Sequence, residues 1–204
     1  MSDTKERILN AALRLFARDG FEAVSVSAIS EALGMTKGAL YKHYKSKRDI
    51  FDSIVEKMYR LDAERANEFG VPENSFENDA AAYENTSADS LSAFALAQLE
   101  FWTEDGFASD FRRMLTLEQY RDAEMAKLYR SCIVEGPIEY TENIFRKMTE
   151  RGEMKESDPH LLAAEFYAPL YLLISLSDLS EDKAGIEALL KRHIEKFMKE
   201  NRRN

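Results

Sequence analysis

The chain has 204 residues and a formal net charge of −9 at pH 7, a size that accommodates a small domain plus a larger one with its own core. Its one cysteine, Cys132, excludes an intramolecular disulfide and fits a reducing cytoplasm. The N-terminus lacks the apolar core of a signal peptide, and the longest apolar stretch, 161–176, is interrupted by Glu165 and Pro169 and falls short of the ~20 residues of a membrane span, so a cytoplasmic protein with no membrane partner is expected.

Residues 4–19 place Leu9, Leu13 and Phe16 at helical spacing beside Ile8, Ala12 and Leu15, the pattern of an amphipathic helix. Gly20 and Phe21 close it, and Phe21 with Val24 is expected to floor a small bundle. Over 24–49, VSVSAISEALGMTKGALYKHYKSKRD, the pattern predicts two short helices joined by a tight turn. Ser25 caps the first, whose Ile29 and Leu33 share a face. Gly34 stops it, since glycine takes a left-handed conformation without steric cost, and Met35 is expected to be a buried turn residue. Thr36 caps the second helix, which carries residues 37–44. Such a helix–turn–helix places its second member in the major groove of DNA. Gly38 and Ala39 would let the backbone approach base edges, with Lys37, Tyr41, Lys42 and His43 as donors. Ser25, Ser27 and Thr36 complete the candidate contacts. Leu40 and Tyr44 read as core of the three-helix unit. Ser46, with Asp49 three residues on, then caps a long helix with the stripe Ile50, Phe51, Ile54, Val55, Met58 and Leu61. Lys47, at its start, can add its charge to free backbone amides facing a phosphate.

Charge agrees with this reading once it is divided along the chain. Residues 1–50 hold nine Lys and Arg against six Asp and Glu, a net of +3, so the remainder carries −12. Five of the nine fall between positions 37 and 48, a basic tip suited to phosphates on an acidic body.

These residues also carry a resemblance. The run TKERILNAALRLFARDGFEAVSVSAISEALGMTKGALYKHYKSKRDIF resembles the N-terminal DNA-binding domain of the TetR family of bacterial transcriptional regulators. The matching positions are Thr4, Ile8, Ala11, Ala12, Leu15, Phe16 and Gly20, then Ile29, Gly34, Gly38, Leu40, Tyr41, Tyr44, Lys47 and Ile50. Val26, Ser27 and Tyr44 depart mildly from the family's usual residues, which bears on base preference. The resemblance implies a homodimeric, ligand-responsive regulator, usually a repressor, bound to double-stranded DNA at a pseudo-palindromic operator. Activation is the alternative within the same fold.

The rest reads as helix after helix: 87–104, 107–128 with a break around Asp122, 125–151 with a kink at Pro137 and a stop at Gly152, then a helix opened by Asp158 and Pro159, and a last one from Asp182. The weakly patterned 70–87 is expected to be a loop or short irregular helix. The fold class is therefore all-α: a helix-turn-helix domain over 1–47, a connecting helix over 48–69 and a helical effector-binding and dimerisation domain over 70–204. Residues 161–176 are apolar nearly all round and read as a buried helix kinked at Pro169, covered by the last helix and by a second copy of the pair. Aromatic and Met residues in this region (Phe101, Trp102, Phe111, Met114, Tyr129, Tyr140, Phe166, Tyr167 and Tyr171) serve either as plain core or as the lining of the effector cavity that the resemblance implies.

Two other functional classes fit the sequence less well. An enzyme is disfavoured by the absence of P-loop, GxGxxG and paired metal-ligand motifs; His43, His160 and His193 are far apart, Cys132 has no catalytic signature, and no catalytic residue, cofactor or metal is expected. A charge-only DNA binder would spread its basic residues, whereas here they cluster.

Overall fold

A computed structural model describes residues 3–73, 75 and 77–203. Among them there are eleven α-helices, one π-helical segment and no strand. In chain order these are α1 (Asp3–Asp19), α2 (Val26–Ala32), α3 (Lys37–Tyr41), α4 (Lys47–Glu68), α5 (Ala80–Asn85), α6 (Ala88–Glu104), α7 (Gly106–Glu118), α8 (Ala123–Tyr129), the π segment Arg130–Val134, α9 (Glu135–Glu150), α10 (Pro159–Ser177) and α11 (Lys183–Asn201). They form two compact units: residues up to Leu61 with Asp105–Tyr129, and Asp62–Glu104 with Arg130 onward. The chain thus passes between units three times, where the sequence suggested one passage along the long helix.

In the first unit α1 buries Ile8, Leu9, Ala11, Ala12, Leu13 and Phe16, a face wide enough to serve two neighbours. It packs on α2 and along α7, whose Ala108, Phe111, Met114 and Leu115 are fully buried. Phe21 lies between Phe16 and Phe51, with ring centroids at 5.1 and 5.3 Å, and Val24 is buried, as expected for the floor of the bundle. The caps form at the residues read, with the Asp49 carboxylate reaching back to the Lys45 N–H and not to that of Ser46. The Ala28 and Ala39 N–H groups donate to Ser25 Oγ and Thr36 Oγ1 at 3.1 and 3.2 Å. At α4 the Asp49 N–H donates to Ser46 Oγ at 3.0 Å while Asp49 Oδ2 accepts from the Lys45 N–H at 2.7 Å. Two details differ. Met35 is only half-buried, and α3 is a bare five residues, because Lys42 to Tyr44 turn away to meet the start of α4.

The second unit is built on α10, which packs against α9, α6 and α11, with α5 on α9. Its aromatic centre is Phe145, Phe166 and Phe197, with ring centroids 5.2–5.5 Å apart. The weakly patterned 70–87 contains α5; Asn74 and Phe76 within it lie outside the described residues. Asp158 caps α10 by accepting from the His160 N–H at 2.9 Å, with Pro159 at the first position. Within the single chain α10 is not buried all round: Leu161, Leu172 and Leu176 are 52%, 55% and 45% exposed. They form one stripe with Glu165, Ala168 and Ser175, which are also exposed. Only the opposite face, with Leu162, Phe166, Leu170, Leu173 and Ile174, meets the core.

The break expected at Pro137 takes a specific form. Proline has no N–H to give the carbonyl four residues back, and that carbonyl, Ile133 O, accepts instead from the Tyr167 hydroxyl at 2.5 Å. The chain widens into the π segment just before this point. A Cβ on Gly136 would lie 1.8 Å from Ser131 O, so the wide turn depends on glycine there. Gly136→Ala is expected to lower stability by about 1–3 kcal/mol through this overlap. Gly106→Ala, where an added Cβ meets nothing within 4 Å, should be neutral or slightly stabilising; urea unfolding of the pair checks both.

Candidate nucleic-acid interface

The α2–turn–α3 element presents its second helix outward. Ile29 and Leu40 are fully buried beneath it and fix its orientation. Tyr44 is buried as well, its hydroxyl donating to Lys5 O at 3.2 Å. Burial pushes that hydroxyl up to about 12, so it stays a neutral donor in the core. On the outer side Ser25, Thr36, Lys37, Gly38 and Lys42 are exposed, Tyr41 is 49% exposed, and Ser27, Ala39 and His43 are half-buried.

Gly38 is the most telling of these. Its backbone does not lie in the left-handed region, and a Cβ there would meet nothing closer than Thr36 Oγ1 at 4.0 Å. Nothing inside the chain requires glycine at 38. The absent side chain leaves room for something outside the chain to approach the backbone of α3, which is the demand of a major-groove helix.

Not every basic residue at the tip is available to a phosphate. Arg48 is held by both carboxylate oxygens of Glu124, at 2.6 and 2.5 Å, and by Asp52 at 2.6 Å. Lys47, expected to face a phosphate, turns inward: its Nζ donates to Phe21 O at 2.7 Å and to Glu22 O at 3.3 Å, and sits 4.3 Å above the Phe21 ring. That leaves Lys37, Lys42 and Lys45 as exposed cations on this face. Lys45 belonged to the basic cluster in the sequence but not to the candidate contacts. The part of α7 and α8 in this unit had no local signal, since its partners lie about a hundred residues away.

The geometry is matched by kinship. Residues 8–54 match the family model for bacterial regulatory proteins, tetR family. Residues 8–54 are thus a domain of that family. The HTH-type transcriptional regulator AcrR of Shigella flexneri is 44% identical over 54 residues, a stretch covering 26% of this chain and 25% of AcrR. The HTH-type transcriptional repressor AcnR of Corynebacterium glutamicum is 31% identical over 72 residues, covering 35% of this chain and 38% of AcnR. The matched stretch thus spans a quarter to little more than a third of these relatives. Their names are those of transcriptional regulators, which speaks against the enzyme alternative. Over nearly the whole chain the fold is that of SmeT in its complex with triclosan, with a TM-score of 0.69 at 16% identity, covering 98% of this chain and 92% of that one. SmeT is the repressor of the Stenotrophomonas maltophilia multidrug efflux pump SmeDEF.

The residues proposed for an effector cavity fall in both units. Phe111, Met114 and Tyr129 belong to the first; Phe101, Trp102, Tyr140, Phe166, Tyr167 and Tyr171 to the second. Several have a complete structural explanation. Phe166 sits in the aromatic centre, Tyr167 closes the π segment, and the Tyr140 hydroxyl donates to Pro72 O at 3.0 Å. Burial pushes the Tyr140 hydroxyl well above the ordinary tyrosine value, with Tyr83 and Asp62 adding to the shift. Tyr171 stands on the exposed side of α10.

Gly38→Leu is expected to leave unfolding within about 0.5 kcal/mol of the parent, as for a surface position free of special contacts, while abolishing sequence-specific DNA binding. Fluorescence anisotropy with labelled duplexes and a parallel denaturant titration measure the two effects.

Proposed function

We propose that the protein is a cytoplasmic transcriptional repressor that binds a pseudo-palindromic operator as a homodimer and is released by a small organic effector. The observation that carries the DNA-binding reading is the open face at Gly38, flanked by exposed Lys37, Tyr41 and Lys42, on a domain matching the tetR family over residues 8–54. Lys37 and the Gly38–Ala39 backbone read bases, while Tyr41, Lys42, His43, Ser25, Ser27 and Thr36 grip phosphates and fix register. Lys47 contributes by holding the Phe21 turn. Repression is favoured over activation because AcnR and SmeT both carry the name of repressor.

Dimerisation rests on α10. A stripe of Leu161, Leu172 and Leu176, continued by the 91% exposed Leu179 and by Leu189 on α11, is costly to leave in water, and a two-fold copy of the same pair of helices covers it. The triclosan complex of SmeT supports an effector in the helical part of the chain. Phe101 and Trp102 of the second unit are its proposed lining.

Three outcomes follow. Leu172→Glu with Leu176→Glu should give a folded monomer by sedimentation velocity, and its operator affinity should collapse because the two heads lose their fixed spacing. Footprinting of the parent should show two half-sites roughly one helical turn apart, about 34–36 Å; protection of a single asymmetric half-site by a monomer would refute the dimeric reading. An effector identified by thermal shift should weaken operator binding by the same factor by which operator weakens effector binding, and equal effector affinity with and without DNA would rule out coupling.

A further inference from the structure

The peptide of Phe21, in the turn between α1 and α2, is held from two directions. Its N–H donates to Glu118 Oε1 at 3.0 Å, across 97 residues of sequence, and its carbonyl accepts from Lys47 Nζ at 2.7 Å. Glu118 is the last residue of α7 and only 1% exposed; Arg121 Nη1 stands 3.6 Å from its carboxylate. The carboxylate also fills the place of a neighbouring side chain. A Cβ on Gly20, whose φ is +89°, would lie 2.5 Å from Glu118 Oε1 and 3.2 Å from Arg121 Nη1. A turn N–H at a protein surface is satisfied by water at little cost, whereas a buried carboxylate is costly unless its bonds are made. The arrangement therefore gains position more than stability. It sets the turn that leads, four residues on, to the Ser25 cap of α2, and through α2 it sets α3.

We propose that Glu118 is a positioning residue for DNA binding, so that the DNA-reading head consists of α1–α4 together with α7, and not of the N-terminal helices alone. The proposal rests on the DNA-binding reading above. Glu118 touches no DNA; it acts by fixing the Phe21 peptide, with Lys47 as its counterpart on the carbonyl. Because the α7–α8 segment, Asp105–Tyr129, is joined at both ends to segments of the second unit by chain connection, a displacement of α7 is transmitted to the α1–α2 turn by a hydrogen bond as well as along α4.

The test uses the full-length protein and a duplex enriched by the parent from a random-sequence pool. Glu118→Ala should bind that duplex about ten-fold more weakly, equivalent to about 1.4 kcal/mol, with the salt dependence unchanged because no phosphate contact is lost. Glu118→Gln, whose amide oxygen accepts the same bond, should restore binding, whereas Tyr41→Ala should reduce the salt slope. Melting curves establish that each variant is folded at the assay temperature. If Glu118→Ala does not fold, Glu118→Met, which fills the space without an acceptor, replaces it against Glu118→Gln. Equal binding by parent and Ala or Met variant overturns the role of Glu118, as does equal weakening in the Gln variant. In the parent itself, amide exchange at Phe21 as fast as in an exposed turn would overturn it without recourse to any variant. A parent that enriches no duplex overturns the DNA-binding reading instead.

Discussion

The double burial of α1 is the constraint from which the first unit follows. Ile8, Leu9, Ala12, Leu13 and Phe16 cover more of the helix than one neighbour can shield, and α2 and α7 take the two sides. Helices as short as α2 and α3, of seven and five residues, are not stable in isolation, since nucleation costs more than so few backbone bonds return. Their conformation is imposed by Ile29 and Leu40 docking into the core and by the Ser25 and Thr36 caps. The outward face of α3 is thereby free of structural duty. Its residues are left to answer an external surface, which is why Gly38 can be spared a side chain.

The second unit solves a different problem. α10 carries apolar residues on nearly every side, yet a single chain covers only the face toward α9, α6 and α11. The outer stripe of Leu161, Leu172 and Leu176 stays in water. In the proposed dimer a symmetric partner helix covers it, one patch serving both copies. In the proposed function the polar face of α3 and the apolar face of α10 take partners of opposite chemistry: a polyanion for one and an identical helix for the other.

Backbone chemistry at a few positions shapes each unit from within. Pro137 removes one donor, Gly136 makes room for the resulting wide turn, and Tyr167 supplies the replacement donor to Ile133 O. At the other end of the chain the Phe21 peptide is clamped by Glu118 and Lys47. In both places a backbone group is satisfied by a side chain distant in sequence.

The local elements were legible in the sequence because their causes are local. Ser25, Thr36, Ser46 and Asp158 cap helices within three residues of themselves; the 3.6-residue period of α1 and the basic cluster over 37–48 need no knowledge of the rest of the chain. The exposed face of the helix-turn-helix was legible for the same reason, since the exposed side of a short capped helix follows from its buried side. Tertiary structure alone decided the remainder. That α7 and α8 join the first unit, that Glu124 neutralises Arg48, and that Lys47 points inward to Phe21 instead of outward all depend on pairings between residues far apart in sequence. So does the use of the Tyr140 and Tyr167 hydroxyls by backbone carbonyls. Periodicity records which face of a helix is apolar, but a hydrogen bond across a hundred residues depends on the final distance between two atoms, and only the folded chain sets that distance.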